Sequence, residues 1–411
     1  MIAFQPLQLP NGTTLSNRIA KAAMEENLAA ADQGPSDKLL RLYRTWAEGG
    51  AGLLLTGNVM IDRRAMTGPG GVALEDDSQL QRFRDWARIG RSRGAQFWMQ
   101  LNHPGRQMQA NLGQPTVAPS AIPLELGGLS KLFPVPRALS EEEIGELIQR
   151  FVRSAELAEQ AGFSGVQIHA AHGYLLSQFL SPLSNRRTDT WGGALENRAR
   201  LLLEVVKAVR ARVSPGFCVA VKLNSADFQR GGFDASDAKQ VVQMLNDLDV
   251  DLVELSGGSY EAPAMQGDAR DGRTLAREAY FLEFAAELAE EARMPLIVTG
   301  GVRRLPVVER VLTRGVAMVG IATALALAPD LPARWRAGEF AAGAELAPIR
   351  WKNKALASLA YMSSVKFQLR RLAGGGNPQP GVWPLRALIA EQLKTARRTR
   401  QYKRRMAALG L

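Results

Sequence analysis

Short, nearly continuous apolar runs recur along roughly the first 330 residues, each followed by a longer stretch whose apolar residues return every three or four positions. The runs at 18–24, 52–60, 96–103, 165–171, 217–224, 252–258, 295–301 and 317–325 predict eight strands. Their lack of alternation suits parallel strands covered on both faces. Between them the spacing is helical. At 139–162, for example, Ser140 and Glu143 form a capping box ahead of an amphipathic run that Gly162 closes. Eight strands alternating with helices leave two architectures, a closed (β/α)8 TIM barrel and a doubly wound open sheet. Glu25, Thr56, Gln100, His169, Lys222, Ser256 and Thr299 gather near the C-terminal ends of the runs. In a barrel those ends converge on one mouth, whereas an open sheet spreads them along an edge. No GxGxxG follows the first run. The barrel is the predicted fold.

Two connections are long, 104–139 and 174–197, and read as loops over a site or an interface. Helical spacing returns at 350–372 and 384–409, with a flexible Gly- and Pro-rich link at 373–381. The chain thus divides into a barrel over 1–340 and a helical extension over 341–411.

Charge separates the same two parts. Of 51 basic and 40 acidic residues, thirteen basic and a single acid (Glu391) lie within 351–411, leaving 38 and 39 in the first 350. The body is neutral and the tail is basic, so any electrostatic attraction belongs to the tail. A solvated helical face, or one packed on a second copy in a homo-oligomer, is the favoured use of it. Contact with nucleic acid or an anionic membrane, or capture of a phosphorylated substrate, are the lesser alternatives. The single cysteine, Cys218, excludes an internal disulfide and a multi-cysteine metal site, and reads as a small core residue. No apolar run reaches about 18 residues and the N-terminus lacks the pattern of a secretory signal. A cytoplasmic location is expected.

The candidate chemistry clusters after the fourth strand, where two of three histidines, His169 and His172, precede Tyr174. A zinc site would need a third ligand, for which only His103 remains. Two imidazoles holding a carbonyl or phenolate oxygen is the second reading, and a structural pair bonded to backbone the third. A phenol with pKa near 10 keeps its proton at neutral pH and can deliver it to a developing carbanion; packing under a loop is the commoner fate of a lone tyrosine. Lys222 lies amid apolar strand residues, a costly position unless it meets an anion or snorkels to water. Glycines at the ends of strands seven and eight suit a phosphate-bearing cofactor, and equally a tight turn.

The stretch HAAHGYLLSQFLSPLSNRRTDTWGGALENRAR (169–200) is similar nearly throughout to the signature of the old yellow enzyme family of FMN-dependent ene-reductases. LSNRIAKAAM, QLNHPGR, VTGGV and VGIATAL extend the resemblance over roughly residues 2–335. It implies a (β/α)8 barrel that holds FMN noncovalently and takes reducing equivalents from NADH or NADPH. Ala23, Met24, Gly57 and Gln100 would line the flavin ring, and Lys222 would stand at its N1 and O2 edge. Gly300, Gly301 and Gly320 would fall in phosphate-binding turns. His169 and His172 would hold the carbonyl of a small enone-like substrate, which accepts hydride at its β-carbon while Tyr174 protonates the α-carbon. Three positions depart from the family pattern: Glu25, beside the flavin ring where many relatives carry a tuning Cys or Thr, whose carboxylate would oppose an anionic reduced flavin and lower its potential; Lys222 where arginine is usual; and Thr323 near a phosphate-binding arginine. A flavin-dependent amine dehydrogenase or demethylase, a dienoyl-CoA-type reductase and a non-catalytic barrel binding protein are the alternatives. The full-length dienoyl-CoA form carries an iron–sulfur cluster that one cysteine cannot ligate.

Overall fold

A computed structural model describes residues 1–262, 279, 281–339 and 345–411. Eight parallel strands close into a barrel: β1 (Ile19–Lys21), β2 (Leu53–Met60), β3 (Gln96–Asn102), β4 (Gly165–Ala170), β5 (Cys218–Asn224), β6 (Leu252–Ser256), β7 (Leu296–Thr299) and β8 (Met318–Ile321). Each strand pairs with its sequence neighbours, and β8 and β2 both pair with β1, which closes the ring. Helices α1 (Asp37–Glu48), α2 (Leu80–Gly90), α3 (Glu141–Gln160), α5 (Leu195–Arg210), α6 (Ala235–Leu245), α7 (Leu282–Ala289) and α8 (Leu305–Thr313) fill the connections. The α3 capping box forms as its sequence predicts, Glu143 N–H donating to Ser140 Oγ and Ser140 N–H to the Glu143 carboxylate.

The ends of the ring differ from the sequence pattern where short helices intervene. The segment 174–197 opens with a buried helix, α4 (Leu175–Leu180), in place of the predicted loop. β8 stops at Ile321 because the chain turns into α9 (Thr323–Leu327), followed by α10 (Leu331–Arg336). The predicted division at 340/341 falls outside the described residues.

Strand alternation sorts the side chains. Ala20, Leu53, Leu55, Trp98, Cys218, Ala220, Leu252, Ile297 and Met318 fill the lower barrel, and Leu9 and Leu15 of an N-terminal hairpin close it from below. Burial pushes the Cys218 thiol up to about 11, as befits an inert core residue. Residues of the opposite parity pack outward against the helices, where Tyr43, Trp86, Phe97 and Phe163 meet at centroid distances of 4.8–5.8 Å.

The terminal helices α11 (Lys354–Ala373) and α12 (Pro384–Ala408) fold onto each other, and α11 packs on α1 and α9. Tyr402 and Met406 join Met60, Met66, Met108 and Leu112 in an apolar cluster beside the mouth. The link at 373–381, expected to be flexible, is pinned by Gln368, which donates to Gln379 O at 2.9 Å and accepts from Gln379 N–H at 2.7 Å. Among the described residues, no helix is long and apolar enough to cross a membrane. Tyr402 Oη lies 3.1 Å from the carbonyl oxygens of both Arg63 and Arg64. Tyr402→Phe is therefore expected to destabilise the fold by about 1 kcal/mol in urea unfolding; unchanged stability would show that the tail does not rely on this contact.

Candidate active site

β4 delivers His169 to the barrel interior, and the chain then turns sharply. His172 and Gly173 both adopt left-handed backbone, with φ of 61° and 72°. Glycine accepts this freely, whereas histidine is held there against its preference. Three contacts hold it. His172 N–H donates to Asn224 Oδ1 at 3.0 Å, its carbonyl accepts from Gln107 Nε2 at 2.9 Å, and its ring Nε2 lies 2.7 Å from Ser256 Oγ. With Ser256 donating, the ring proton sits on Nδ1. His169 Nδ1 accepts from Ala171 N–H at 3.2 Å, which puts its proton on Nε2. The His169 ring stands edge-on to both His172 and Tyr174, each at a centroid distance of 5.0 Å. Tyr174 Oη in turn meets Tyr260 Oη at 3.2 Å.

Burial, then His172 and Lys222, drive the His169 pKa well below the usual 6.5. Burial and Lys222 do the same to His172. Both rings are neutral at pH 7. Burial, with the neighbouring Tyr260 and the charge of Glu25 behind it, pushes Tyr174 well above 10, so this phenol keeps its proton. His103 stands apart: its Nδ1 accepts from Gly105 N–H at 3.1 Å, and burial lowers its pKa to about 4. Among the described residues no three His, Cys, Asp or Glu side chains converge as metal ligands.

A layer of paired polar groups lies below the histidines. Gln100 Nε2 donates to Gln167 Oε1 at 2.7 Å, and Gln167 Nε2 to Glu254 Oε2 at 2.8 Å. The other Glu254 oxygen meets Lys222 Nζ at 2.8 Å and accepts from Thr299 Oγ1 at 2.7 Å. Burial alone would raise the Glu254 pKa, but the adjacent Lys222 ammonium brings it below the ordinary range. The anion that Lys222 requires is therefore a carboxylate of the same chain. Glu254 escaped the sequence reading, although it too is a lone charge within an apolar strand and is the register partner of Lys222.

The other predicted positions divide. Thr56 is fully buried and its Oγ1 accepts from Gln100 N–H at 2.8 Å, tying β2 to β3 where the register shifts between Leu55 and Asn58. Ala23, Met24 and Glu25 form the turn after β1, with Ala23 against the barrel interior and Met24 against the outer core. Glu25 is not a bare carboxylate: Lys366 Nζ lies 3.0 Å away and Thr67 Oγ1 donates at 2.5 Å. Gly57 N–H is shared between Glu26 Oε1 and Tyr43 Oη at 3.1 and 3.0 Å. Across the barrel from β4, Gly300 and Gly301 turn the chain after β7 with φ of 152° and 68°. Gly320 faces Thr299 so closely that a Cβ there would come within 2.1 Å of its hydroxyl. Thr323 opens α9. Sequence reasoning also missed Tyr260, Asn102, and the buried Arg106–Glu261 pair at 2.7 Å that ties the loop after β3 to the loop after β6. Asn102 follows Trp98 and Gln100 on the inward parity of β3, and both its amide atoms are buried without a partner.

A closed parallel barrel with hydrogen-bonding and acidic groups on its strand ends is the layout of a (β/α)8 enzyme. The model of the NADH:flavin oxidoreductase / NADH oxidase family matches residues 3–339, and the chain belongs to that family. It is 40% identical over 353 residues to an NADH-dependent flavin oxidoreductase of Neonectria sp. (strain DH2), covering 80% of this chain and 46% of that one. A protein of the same description from Hypocrea jecorina (strain QM6a) is 38% identical, with 80% and 87% covered. Among solved structures, the old yellow enzyme homologue from Zymomonas mobilis superposes with a TM-score of 0.70 at 28% identity, over 82% of this chain and 93% of that one. The chain thus spans about half the length of some relatives and nearly all of others.

Two outcomes follow from this geometry. Lys222→Met strands Glu254 and is expected to cost about 3–5 kcal/mol in urea unfolding, with Lys222→Met/Glu254→Gln recovering part of it; equal losses would show that the pair is not coupled. The histidines also make stability pH-dependent. Unfolded histidine takes a proton near pH 6.5 while all three native rings resist it, so stability falls as pH drops below 6.5. The slope approaches about 1.4 kcal/mol per pH unit for each ring. Unfolding at pH 7 and pH 5 should show this loss, diminished in His169→Asn/His172→Asn.

Proposed function

We propose that the protein is an FMN-dependent reductase of activated alkenes that consumes NADH or NADPH. The observation that carries this reading is the packing of the neutral His169 ring against both the neutral His172 ring and the protonated Tyr174 phenol at one strand end, each at a centroid distance of 5.0 Å. The interior fits a flavin. Asn102 offers an unpartnered buried amide, Gln100 and Lys222 supply further polar contacts beneath it, and the Gly300–Gly301 turn with the start of α9 suits a phosphate. Ala23, Met24, Gly57, Gln100 and Lys222 would hold the ring, and Gly300, Gly301, Gly320 and Thr323 the phosphate end. When bound, FMN supplies the two-electron chemistry that links the nicotinamide to the alkene.

His169 Nε2–H and His172 Nδ1–H donate to the substrate carbonyl oxygen, drawing charge from the alkene and stabilising it as negative charge grows there. Neutral rings suit this task, because each retains a donor without a competing anion demand. Tyr174 gives its proton to the α-carbon, and Tyr260 lies within hydrogen-bond reach of the oxygen left behind. A neutral substrate fits the charge balance: Lys222 is closed by Glu254, Arg106 by Glu261 and Glu25 by Lys366. Glu25 is already partnered and is not free to hold a cationic amine. The likeness to histamine dehydrogenase, at 21% identity, speaks to the fold alone.

Purified protein should be yellow and release FMN on denaturation. Tyr174→Phe should slow alkene-dependent reoxidation about a hundredfold or more while reduction by NAD(P)H stays nearly unchanged in stopped flow. A colourless preparation that binds no FMN, or equal loss in both half-reactions, contradicts the reading.

A further inference from the structure

The family match ends at residue 339, yet a residue beyond it reaches the active-site mouth. Lys366, on α11, places Nζ 3.0 Å from Glu25 Oε2, while the other Glu25 oxygen accepts from Thr67. The two charged side chains are only 17% and 25% exposed, so neither is a freely solvated surface group. Behind Lys366, Glu391 of α12 lies at 4.0 Å and is itself bonded to Arg370. Charges of alternating sign therefore run from the mouth into the terminal helices. Glu25 lies in the turn after β1, at the same C-terminal end of the barrel as the two phenols, and its negative charge is among the causes that hold Tyr174 and Tyr260 in their protonated forms.

We propose that Lys366 is a positioning residue that neutralises Glu25 and thereby allows Tyr174 to release its proton. The inference rests on Tyr174 serving as the acid in alkene reduction. In that step the Tyr174 O–H bond breaks, a C–H bond forms at the α-carbon, and negative charge develops on the phenol oxygen; water later restores the proton. FMN, when bound, would supply the hydride at the β-carbon, the electrons coming from the nicotinamide reductant. An unopposed carboxylate resists a second negative charge nearby, and the Lys366 ammonium offsets it. Since Lys366 belongs to the terminal extension, the extension completes the reaction centre from within the same chain.

The test compares Lys366→Met, Glu25→Gln, their double variant and Lys366→Arg. Alkene-dependent reoxidation should slow about tenfold more than the NAD(P)H half-reaction in Lys366→Met, recover in Glu25→Gln/Lys366→Met, and be retained in Lys366→Arg. Urea unfolding of flavin-free protein gives a second readout. Because Lys366 and Thr67 together hold the Glu25 pKa below its ordinary value against the effect of burial, coupling between positions 25 and 366 should be present at pH 7 and lost as pH falls below about 4. Absence of that coupling overturns the pair. Coupling without an effect on reoxidation, or a loss that the double variant does not relieve, reduces Lys366 to a structural contact and overturns the proposal. Colourless protein, or an inert Tyr174→Phe, instead sinks the alkene-reductase reading on which it rests. A normal Tyr174→Phe defect beside an inert Lys366→Met sinks the role of Lys366 alone.

Discussion

Lys222 and Glu254 face each other across adjacent strands at 2.8 Å, in a part of the barrel closed to water. Two charges in such a place are tolerable only if each is paired and the remaining lone pairs are satisfied. Thr299 and Gln167 satisfy the carboxylate, and Gln100 completes the set by donating to Gln167. The chain therefore carries an interlinked polar side chain on each of five consecutive strands, β3 to β7. Below this layer the interior is apolar and plugged by the N-terminal hairpin. Above it, reacting groups stand on a rigid floor whose charge is balanced but directional, with the ammonium on the histidine side of the ladder, where Lys222 is the register partner of His169.

That arrangement explains the protonation of the mouth. A cation below and exclusion of water both disfavour imidazolium, so the histidines remain neutral donors well into the acid range. The same strands also hold His172 in its left-handed conformation, through Asn224 at the end of β5 and Ser256 at the end of β6. One set of strand ends thus determines both the charge and the aim of the ring, which is why the histidine turn and the polar floor are one device rather than two.

Much of this was legible in the sequence because burial leaves a periodic trace. Eight apolar runs gave the barrel, the capping box gave the start of α3, and His169, His172 and Tyr174 lay close enough in sequence to be read together. What was not legible depends on distance along the chain. Tyr260 meets Tyr174 from a loop 86 residues away, and Lys366 meets Glu25 across 341. Helix α4 was read as a loop because six buried residues are too few to display helical periodicity against a polar, turn-rich neighbourhood. The tail looked like a solvated basic face because composition does not say which cations turn inward. Lys366 and Arg370 do, toward Glu25 and Glu391, and Arg398 donates to the backbone of Asn27.

The turn after β1 shows how the two kinds of charge pair divide their work. On its outer side Lys21 is fully buried, donating to Leu55 O at 2.7 Å and to Tyr43 Oη at 3.1 Å, with its ammonium 4.3 Å from the Trp46 ring centroid. Burial lowers its pKa to about 8 and raises that of Glu26, which stands 3.8 Å away and accepts from Tyr43 and from Gly57 N–H. This dry cluster ties the middle of β2 and helix α1 to the turn, and its tightness leaves little room for adjustment. Glu25, one residue before Glu26, takes the opposite side and answers to Lys366 in a partly wet setting. A segment clamped on one face by a buried cluster and on the other by a solvent-touched ion pair has a fixed backbone with an adjustable charge. That combination suits a position where the fold must not move but the electrostatics of a nearby phenol must be tuned.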